Sequence, residues 1–325
     1  MRGVIRTNIH VLCMVIGITV FSSMYSVSQS DCISTIKDLE ALLKKKDHFT
    51  VETIIKKPNN TGVTFLKHDN KKHYVVKQRL SSIPSRHMIA IRDALGSRIA
   101  LDNDIPANCV VIIPRGYEFP GKNVTSFPAT LHEVVPGVRV DRLPAGRRLP
   151  RSFIQQHIRK CNIYGLTRDI ITNMSCHPDL CRIAALDTFI ANGDRHTGNL
   201  FYDDVSNRYY AIDLASSFKY QAACYARDLI SSMLKEKKCV LSKKAIEGLS
   251  IYRDTLKRLV QHCHPDRLYE CMLNCAKQGD FITCPGVVRR VEDSKLVIKK
   301  NYESCRKLLL LLNTFIKKQR TRAAQ

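Results

Sequence analysis

Acidic residues are in short supply. Asp and Glu together number 29 against 52 Lys and Arg, which leaves a formal charge of +23 at neutral pH. A surface of that sign attracts phosphate-rich partners and speeds their encounter, without choosing among nucleic acid, anionic lipid head groups and polyphosphates such as nucleotides. The basic residues are spread along the chain and not gathered in one tail, so they also suit an ordinary solvated face. Long apolar runs are missing as well. The stretch Val11 to Phe21 falls short of the roughly 20 apolar residues that a membrane-spanning helix needs. Repeats and low-complexity tracts are absent, which excludes solenoid and fibrous architectures. Zinc-ligand spacing is lacking too. His262-Cys263-His264 and the Cys271/Cys275 pair match no standard ligand set, and burial on helix faces accounts for these cysteines.

What is present points to a folded chain of ordinary build. Its 325 residues, 44% of them hydrophobic, suffice for a substantial core in one large domain or two lobes. The first 28 residues read differently from the rest. Arg2 and Arg6 precede the apolar stretch, and Ser22, Ser23, Ser26 and Ser28 follow it. These are the parts of a secretory signal peptide; an uncleaved anchor is the alternative, since Ser stands where Ala is commoner at the cleavage site. Export is therefore expected. Twelve of the thirteen cysteines lie beyond this leader, and an even number in an exported chain permits disulfides. Asn-x-Ser/Thr tripeptides begin at Asn59, Asn123 and Asn173 and matter only on a eukaryotic secretory route.

Along the chain, Ile33 to Lys46 has the spacing of a short helix. Alternating runs between 50 and 77, broken by turn residues at 58–62 and 68–70, predict an antiparallel meander. A helix from Ser85 to Asn103, a strand at 109–113 and an extended piece at 129–135 follow. From about Ser152 the pattern turns helical, most clearly from Pro178 to Asn192, and again over Ser242 to Cys263 and Tyr302 to Lys318. The run Leu308 to Leu312 fits a terminal helix docked on its neighbours better than one lying on a membrane. Strands thus fill the first half and helices the second. The expectation is an α+β chain with a β-rich N-lobe at 29–137 and a helical C-lobe at 138–325.

The informative segment is Gly193-Asp194-Arg195-His196-Thr197-Gly198-Asn199. A hairpin, Leu200 to Tyr202 and Arg208 to Ile212, separates it from Asp213. A buried helix delivers a tight polar loop, and the hairpin returns one carboxylate behind an apolar strand. Phosphoryl transfer needs this equipment: a group to orient the attacking hydroxyl, and hard oxygen ligands for a divalent cation that holds a polyphosphate. Asp194 can accept the hydroxyl proton. Asn199 and Asp213 offer an amide oxygen and a carboxylate, enough for Mg²⁺, which keeps several waters. Alone, an Asp-Arg-His triplet is also what a solvated turn looks like; the spacing and context carry the reading.

Gly-Asp-Arg-His-x-x-Asn followed by Ile-Asp resembles the catalytic and metal-binding loops of the phosphatidylinositol 3- and 4-kinase superfamily, and equally those of HipA-like protein kinases. Protein kinases at large share the Asp-x4-Asn spacing. The resemblance implies a bilobal protein-kinase-like fold that uses ATP with Mg²⁺ or Mn²⁺. It makes Asp194 the catalytic aspartate, Asn199 and Asp213 the metal ligands, and Arg195 and His196 the residues that shape the loop. Lys77, at the end of Tyr74-Val75-Val76-Lys77, takes the place of the lysine that grips the α- and β-phosphates. Asp93 stands where the helix of that family supplies a glutamate to this lysine. Glu133 and Val135 fall in the hinge strand whose backbone meets adenine, and Gly62 is the single glycine of a phosphate-covering loop at Asn59-Asn60-Thr61-Gly62. The acceptor implied is a protein Ser or Thr hydroxyl or an inositol lipid. The sparse glycine loop and Asp93 also suit a kinase-fold module without turnover that binds nucleotide or another polyanion. An exported kinase needs ATP, which suits a bacterial protein delivered into a host cell, or a eukaryotic secretory lumen.

Overall fold

The structure, a computed structural model, describes residues 35–45, 48–57, 61–69, 72–79, 83–119, 122–123, 128–143, 177–219 and 241–323. The leader, the loop tip at 58–60, Asn173, and Cys13, Cys32, Cys161, Cys176, Cys224 and Cys239 lie outside these residues.

Helix α1, Ile36–Lys44, starts at a reciprocal cap. The Thr35 hydroxyl accepts from the Asp38 N–H at 3.2 Å, and the Asp38 carboxylate accepts from the Thr35 N–H at 2.8 Å. Leu39 and Leu43, four residues apart, share its buried face. Strands β1 (Phe49–Lys57), β2 (Thr61–His68) and β3 (His73–Arg79) form the expected meander. Helix α2, Pro84–Leu101, follows with Pro84 in its first turn, where a missing N–H costs nothing. Then come β4 (Val110–Ile113), the two-residue pair β5 (Glu118–Phe119) and β6 (Lys122–Asn123), and β7 (Ala129–Glu133). The main sheet runs β1-β2-β3-β7-β4, antiparallel at every step.

Each face of this sheet meets a different helix. Tyr74, Val76, Cys109, Val111, Ile113, Ala129 and Leu131 pack with Leu39 and Leu43 of α1, whereas Val110 and Ile112 join the core that contains α2. Successive side chains of a strand alternate faces. Lys77, next to Val76, is therefore directed to the α2 side, as are Thr130 and His132, which alternate with Leu131.

The second half is helical around one small sheet. Strand β8 (Val138–Arg139) pairs with β9 (Leu200–Asp203), and β9 pairs with β10 (Arg208–Ala211). Gly137 makes the first pairing possible. Its φ is +92°, and a Cβ there would stand 2.2 Å from the Tyr202 carbonyl oxygen. Helices α3 (Pro178–Phe189), α4 (Lys243–His262), α5 (Pro265–Gln278) and α6 (Val287–Ala323) surround the larger core. The α+β division expected from the sequence, sheet first and helices second, is the one observed.

Helix α6 is much longer than the predicted Tyr302 to Lys318. Its 37 residues span about 55 Å at the standard rise. The buried residues Val287, Val291, Ser294, Ile298, Asn301, Cys305, Leu308 and Leu312 recur at alternating steps of four and three. That spacing keeps one seam turned inward along the helix. The docked reading of Leu308–Leu312 matches this seam, and Leu310 and Leu311 face out. Among the described residues no helix is long and apolar enough to cross a membrane. The seven described cysteines are free thiols. Burial pushes Cys263 up to about 11, and Cys275 and Cys305 up to about 12, so these three act as core fillers, not as nucleophiles.

Candidate active site

The site is built where α3 ends. This helix is buried almost all round, and the carboxylate near its C-terminal end, Asp187, organises the polar turn beyond. Asp187 accepts two bonds from the Arg195 guanidinium, 2.8 Å from Nε and 3.1 Å from Nη2, and a third from Asn192 Nδ2 at 2.9 Å. Both charged side chains are 2% exposed. A buried charge pair is tolerated only when its remaining donors and acceptors are satisfied. Here Arg195 Nη1 supplies the remainder by donating to the carbonyls of Asn199 (2.5 Å) and Ile212 (2.8 Å). One guanidinium thereby joins the end of α3, the polar turn after it and the strand leading to Asp213.

Within that turn His196 Nδ1 accepts from the Gly198 N–H at 3.1 Å and caps the single helical turn at 197–199. The Asn199 amide nitrogen donates to the Asp194 carbonyl at 2.9 Å, which orients the amide and leaves Asn199 Oδ1 as its acceptor end. Asp213 is fixed from two directions. The Ile212 N–H donates to the Asn199 carbonyl at 3.1 Å, and Ala211, just before, bonds the 106–108 segment through Pro106 O and Asn108 N. Asp213 itself adopts φ +55°, a left-handed conformation uncommon outside glycine but tolerated by Asp and Asn. Its carboxylate lies 3.8 Å from Lys77 Nζ, so the sheet and the hairpin meet across this ion pair.

Asp93 is placed differently from the expectation. The predicted pair with Lys77 is not formed: the ammonium meets Asp213 instead, and Asp93 Oδ1 accepts from the Leu214 N–H at 3.0 Å. One methylene shorter than glutamate and fully buried, its carboxylate stays beneath the loop that carries Asp213. Asp93 Oδ2 lies 3.6 Å from His132 Nε2, which also lies 2.8 Å from the Thr130 hydroxyl, and Asn108 Nδ2 bonds His132 Nδ1 at 3.0 Å. Burial pushes the Asp93 carboxyl up to about 6, an effect the positive Lys77 opposes and the negative Asp213 adds to. Burial also holds His132 well below the ordinary imidazole range, with Lys77 and Arg79 acting in the same sense. Close approach of α2 to this loop depends on Gly96, where a Cβ would stand 2.8 Å from Leu214 Cβ and 2.9 Å from Ser217 Oγ.

The remaining predicted residues lie at the sheet. Glu133 ends β7; its N–H donates to the Cys109 carbonyl at 3.0 Å, and its carboxylate accepts from Lys72 Nζ at 3.2 Å. The next N–H, of Val134, donates to the His73 carbonyl. Val135 is buried just past the last ladder bond. Gly62 is not a loop residue as expected. It is the second residue of β2, paired with Lys56 on one side and Gln78 on the other, because the ladder begins at Thr61. Asp187, Gly96 and His132 were not singled out from the sequence. The one available signal was Asp187, a carboxylate inside an otherwise apolar stretch of helix, eight residues before an arginine.

The donor set suits a hard cation. Among the described residues no three His, Cys, Asp or Glu side chains cluster as a closed metal site. Asn199 Oδ1 and the partly exposed Asp213 carboxylate are oxygen donors of the kind that Mg²⁺ takes in pairs, leaving its other positions to water and phosphate.

No protein-family model matches the sequence, and no curated protein matches it. Solved structures show a likeness in chain path. A Helicobacter pylori proinflammatory kinase, CtkA, is 12% identical, with 84% of this chain and 97% of that one covered and a TM-score of 0.44. HipA of Shewanella oneidensis, solved with HipB and operator DNA, is 11% identical over 90% of this chain and 76% of that one, with a TM-score of 0.42. The Rio2 kinase of Chaetomium thermophilum, in an ADP/Mg²⁺-phosphoaspartate complex, is 12% identical over 82% and 75%, with a TM-score of 0.40.

Proposed function

We propose that this chain is an ATP-dependent phosphotransferase of protein-kinase-like type whose acceptor is a protein Ser or Thr hydroxyl. The observation that carries the reading is the meeting of Lys77 and Asp213 at 3.8 Å, beside a turn in which Asn199 is bonded to Asp194. The ion pair joins a lysine of the sheet to a carboxylate beyond the hairpin, and the bond from the Ile212 N–H to the Asn199 carbonyl ties that segment to the turn of Asp194 and Asn199; phosphoryl transfer calls for a cation and oxygen ligands of these kinds.

In this reading Lys77 moves between two partners. Without nucleotide it neutralises Asp213; with ATP it holds the α- and β-phosphates. Asn199 Oδ1 and the Asp213 carboxylate would hold Mg²⁺ or Mn²⁺, whose charge would offset that of the phosphates. Asp194 accepts the proton of the attacking hydroxyl. Arg195 and His196 act through the loop and hold Asp194 and Asn199 in register. The backbone at Glu133–Val135 faces the adenine, and the net positive charge raises the local concentration of nucleotide.

A second reading, a nucleotide-binding module with little turnover, is favoured by one observation: Asp93 does not hold Lys77. An inositol-lipid acceptor keeps the same chemistry. Incubation with γ-labelled ATP and Mg²⁺ or Mn²⁺, with protein and lipid acceptors offered separately, tests all three. Label on protein supports the proposal, and label on lipid alone replaces the acceptor. A nucleotide-dependent rise in melting temperature without any transfer selects the binding module. Export, which depends on the leader working as one, is a separate proposal tested by the mass of the mature N-terminus.

A further inference from the structure

A groove of about 440 Å³ runs between α4 and α6 and shares no residue with the candidate active site. Its walls are two facing helical stripes. Arg253, Lys257 and Val260 are spaced by four and three on α4, and Glu303, Arg306, Lys307 and Leu310 by three, one and three on α6. The inner faces of the same helices are spent on the core, through Tyr252, Leu256 and Leu259 on one and Cys305, Leu308 and Leu312 on the other. Val260 also belongs to that core, whereas Lys257, Lys307 and Leu310 face outward and are surplus to folding. Leu310 is 70% exposed at its edge, with Leu311 beside it at 46%. Arg253 pairs with Asp254, and Arg306 with Glu303. Among the described residues no carboxylate pairs with Lys257 or Lys307.

We infer that this groove docks an acidic amphipathic peptide segment of a partner protein, with an apolar side chain on Leu310 and carboxylates toward Lys257 and Lys307. Charge complementarity selects this occupant. A second copy of the chain carries the same +23, and the two longest internal stretches outside the described residues, 144–176 and 220–240, hold more Lys and Arg than Asp and Glu. Shape decides against an anionic membrane: a concave cleft accepts an inserted side chain, whereas a lipid surface is met by a convex or flat face. Affinity in such a groove comes from a few apolar anchors, with the cations setting approach and register.

The test uses the full chain and a fluorescein-labelled helical peptide with leucines at i, i+3, i+4 and i+7 and glutamates elsewhere. A scrambled peptide of equal composition and phosphatidylserine vesicles are the comparisons. Fluorescence anisotropy should show the amphipathic peptide binding more tightly than the scrambled one. Binding should weaken about tenfold in the Lys257→Glu/Lys307→Glu double variant, and by a similar factor in Leu310→Asp. The control Arg289→Glu/Arg290→Glu applies the same charge change to exposed positions outside the groove, and it should leave the preference intact. Circular dichroism and melting temperature report whether each variant folds. Equal loss in groove and control variants, or no preference over the scrambled peptide, reduces the effect to general electrostatics and overturns the inference. So does vesicle binding that needs Lys257, Lys307 and Leu310 when the peptide does not bind.

Discussion

Asp213 combines an uncommon backbone conformation with a charge that faces Lys77, and the two can be separated by substitution. Asn tolerates the left-handed region as Asp does, so Asp213→Asn keeps the loop and removes the charge. Transfer from labelled ATP should fall at least about a hundredfold, the scale reached when a charge-stabilising group is lost, while the melting curve stays close to that of the parent. Full activity in this variant would remove Asp213 from the chemistry. Asp93 gives a different kind of signal. Its carboxyl, raised to about 6 in the folded chain against an ordinary value near 4, favours folding while protonated. That contribution is whole below about pH 4 and is lost as pH rises through about 6. Asp93→Asn, which keeps an oxygen for the Leu214 N–H, should flatten the stability profile between pH 4 and 7 when melting is followed across that range. Arg195 is held on every side, so Arg195→Ala should cost about 3–5 kcal/mol in denaturant unfolding. Asp187→Ala should cost a similar amount, and the double variant less than the sum.

Helix α2 reaches the Asp213 loop only because Gly96 has no side chain. Alanine there gains about 1 kcal/mol of helix propensity, but its Cβ meets Leu214 Cβ at 2.8 Å, and forcing atoms into such contacts costs about 1–3 kcal/mol. Valine adds bulk to that clash and loses the propensity gain. Gly96→Val should therefore lower stability by about 2 kcal/mol or more and displace Leu214, with transfer activity falling further than stability alone explains. Elements differed in how plainly the sequence announced them. Helix α3, the polar turn and the hairpin were legible because Pro178, the apolar spacing after it and the turn residues at 203–207 all agree. The first four turns of α6 were not. Ser294 and Asn301 occupy its buried seam, and Arg289, Arg290, Glu292, Asp293 and Lys295 surround it, so the apolar stripe was diluted below recognition. Thr61-Gly62 is turn chemistry in isolation and suggests a loop, but strand pairing with Lys56 and Gln78 overrides it. Asp93 lies on the helix that the sequence predicts, but which partner it takes depends on the position of Leu214, which a sequence does not display.

Across the whole molecule, charge and connectivity act together. A chain at +23 should bind polyanions in a strongly salt-dependent way, and heparin retention should fall steeply as ionic strength rises. Nucleotide binding at the proposed site, which would rest on close contacts such as that of Lys77, should respond less to salt than that general attraction. Connectivity at Arg195 limits how the molecule can move. Because a single buried side chain grips both the Asn199 and Ile212 carbonyls, the turn and the hairpin cannot slide past one another without breaking it. Any motion that parts Lys77 from Asp213 must then carry the turn and the hairpin together as one piece.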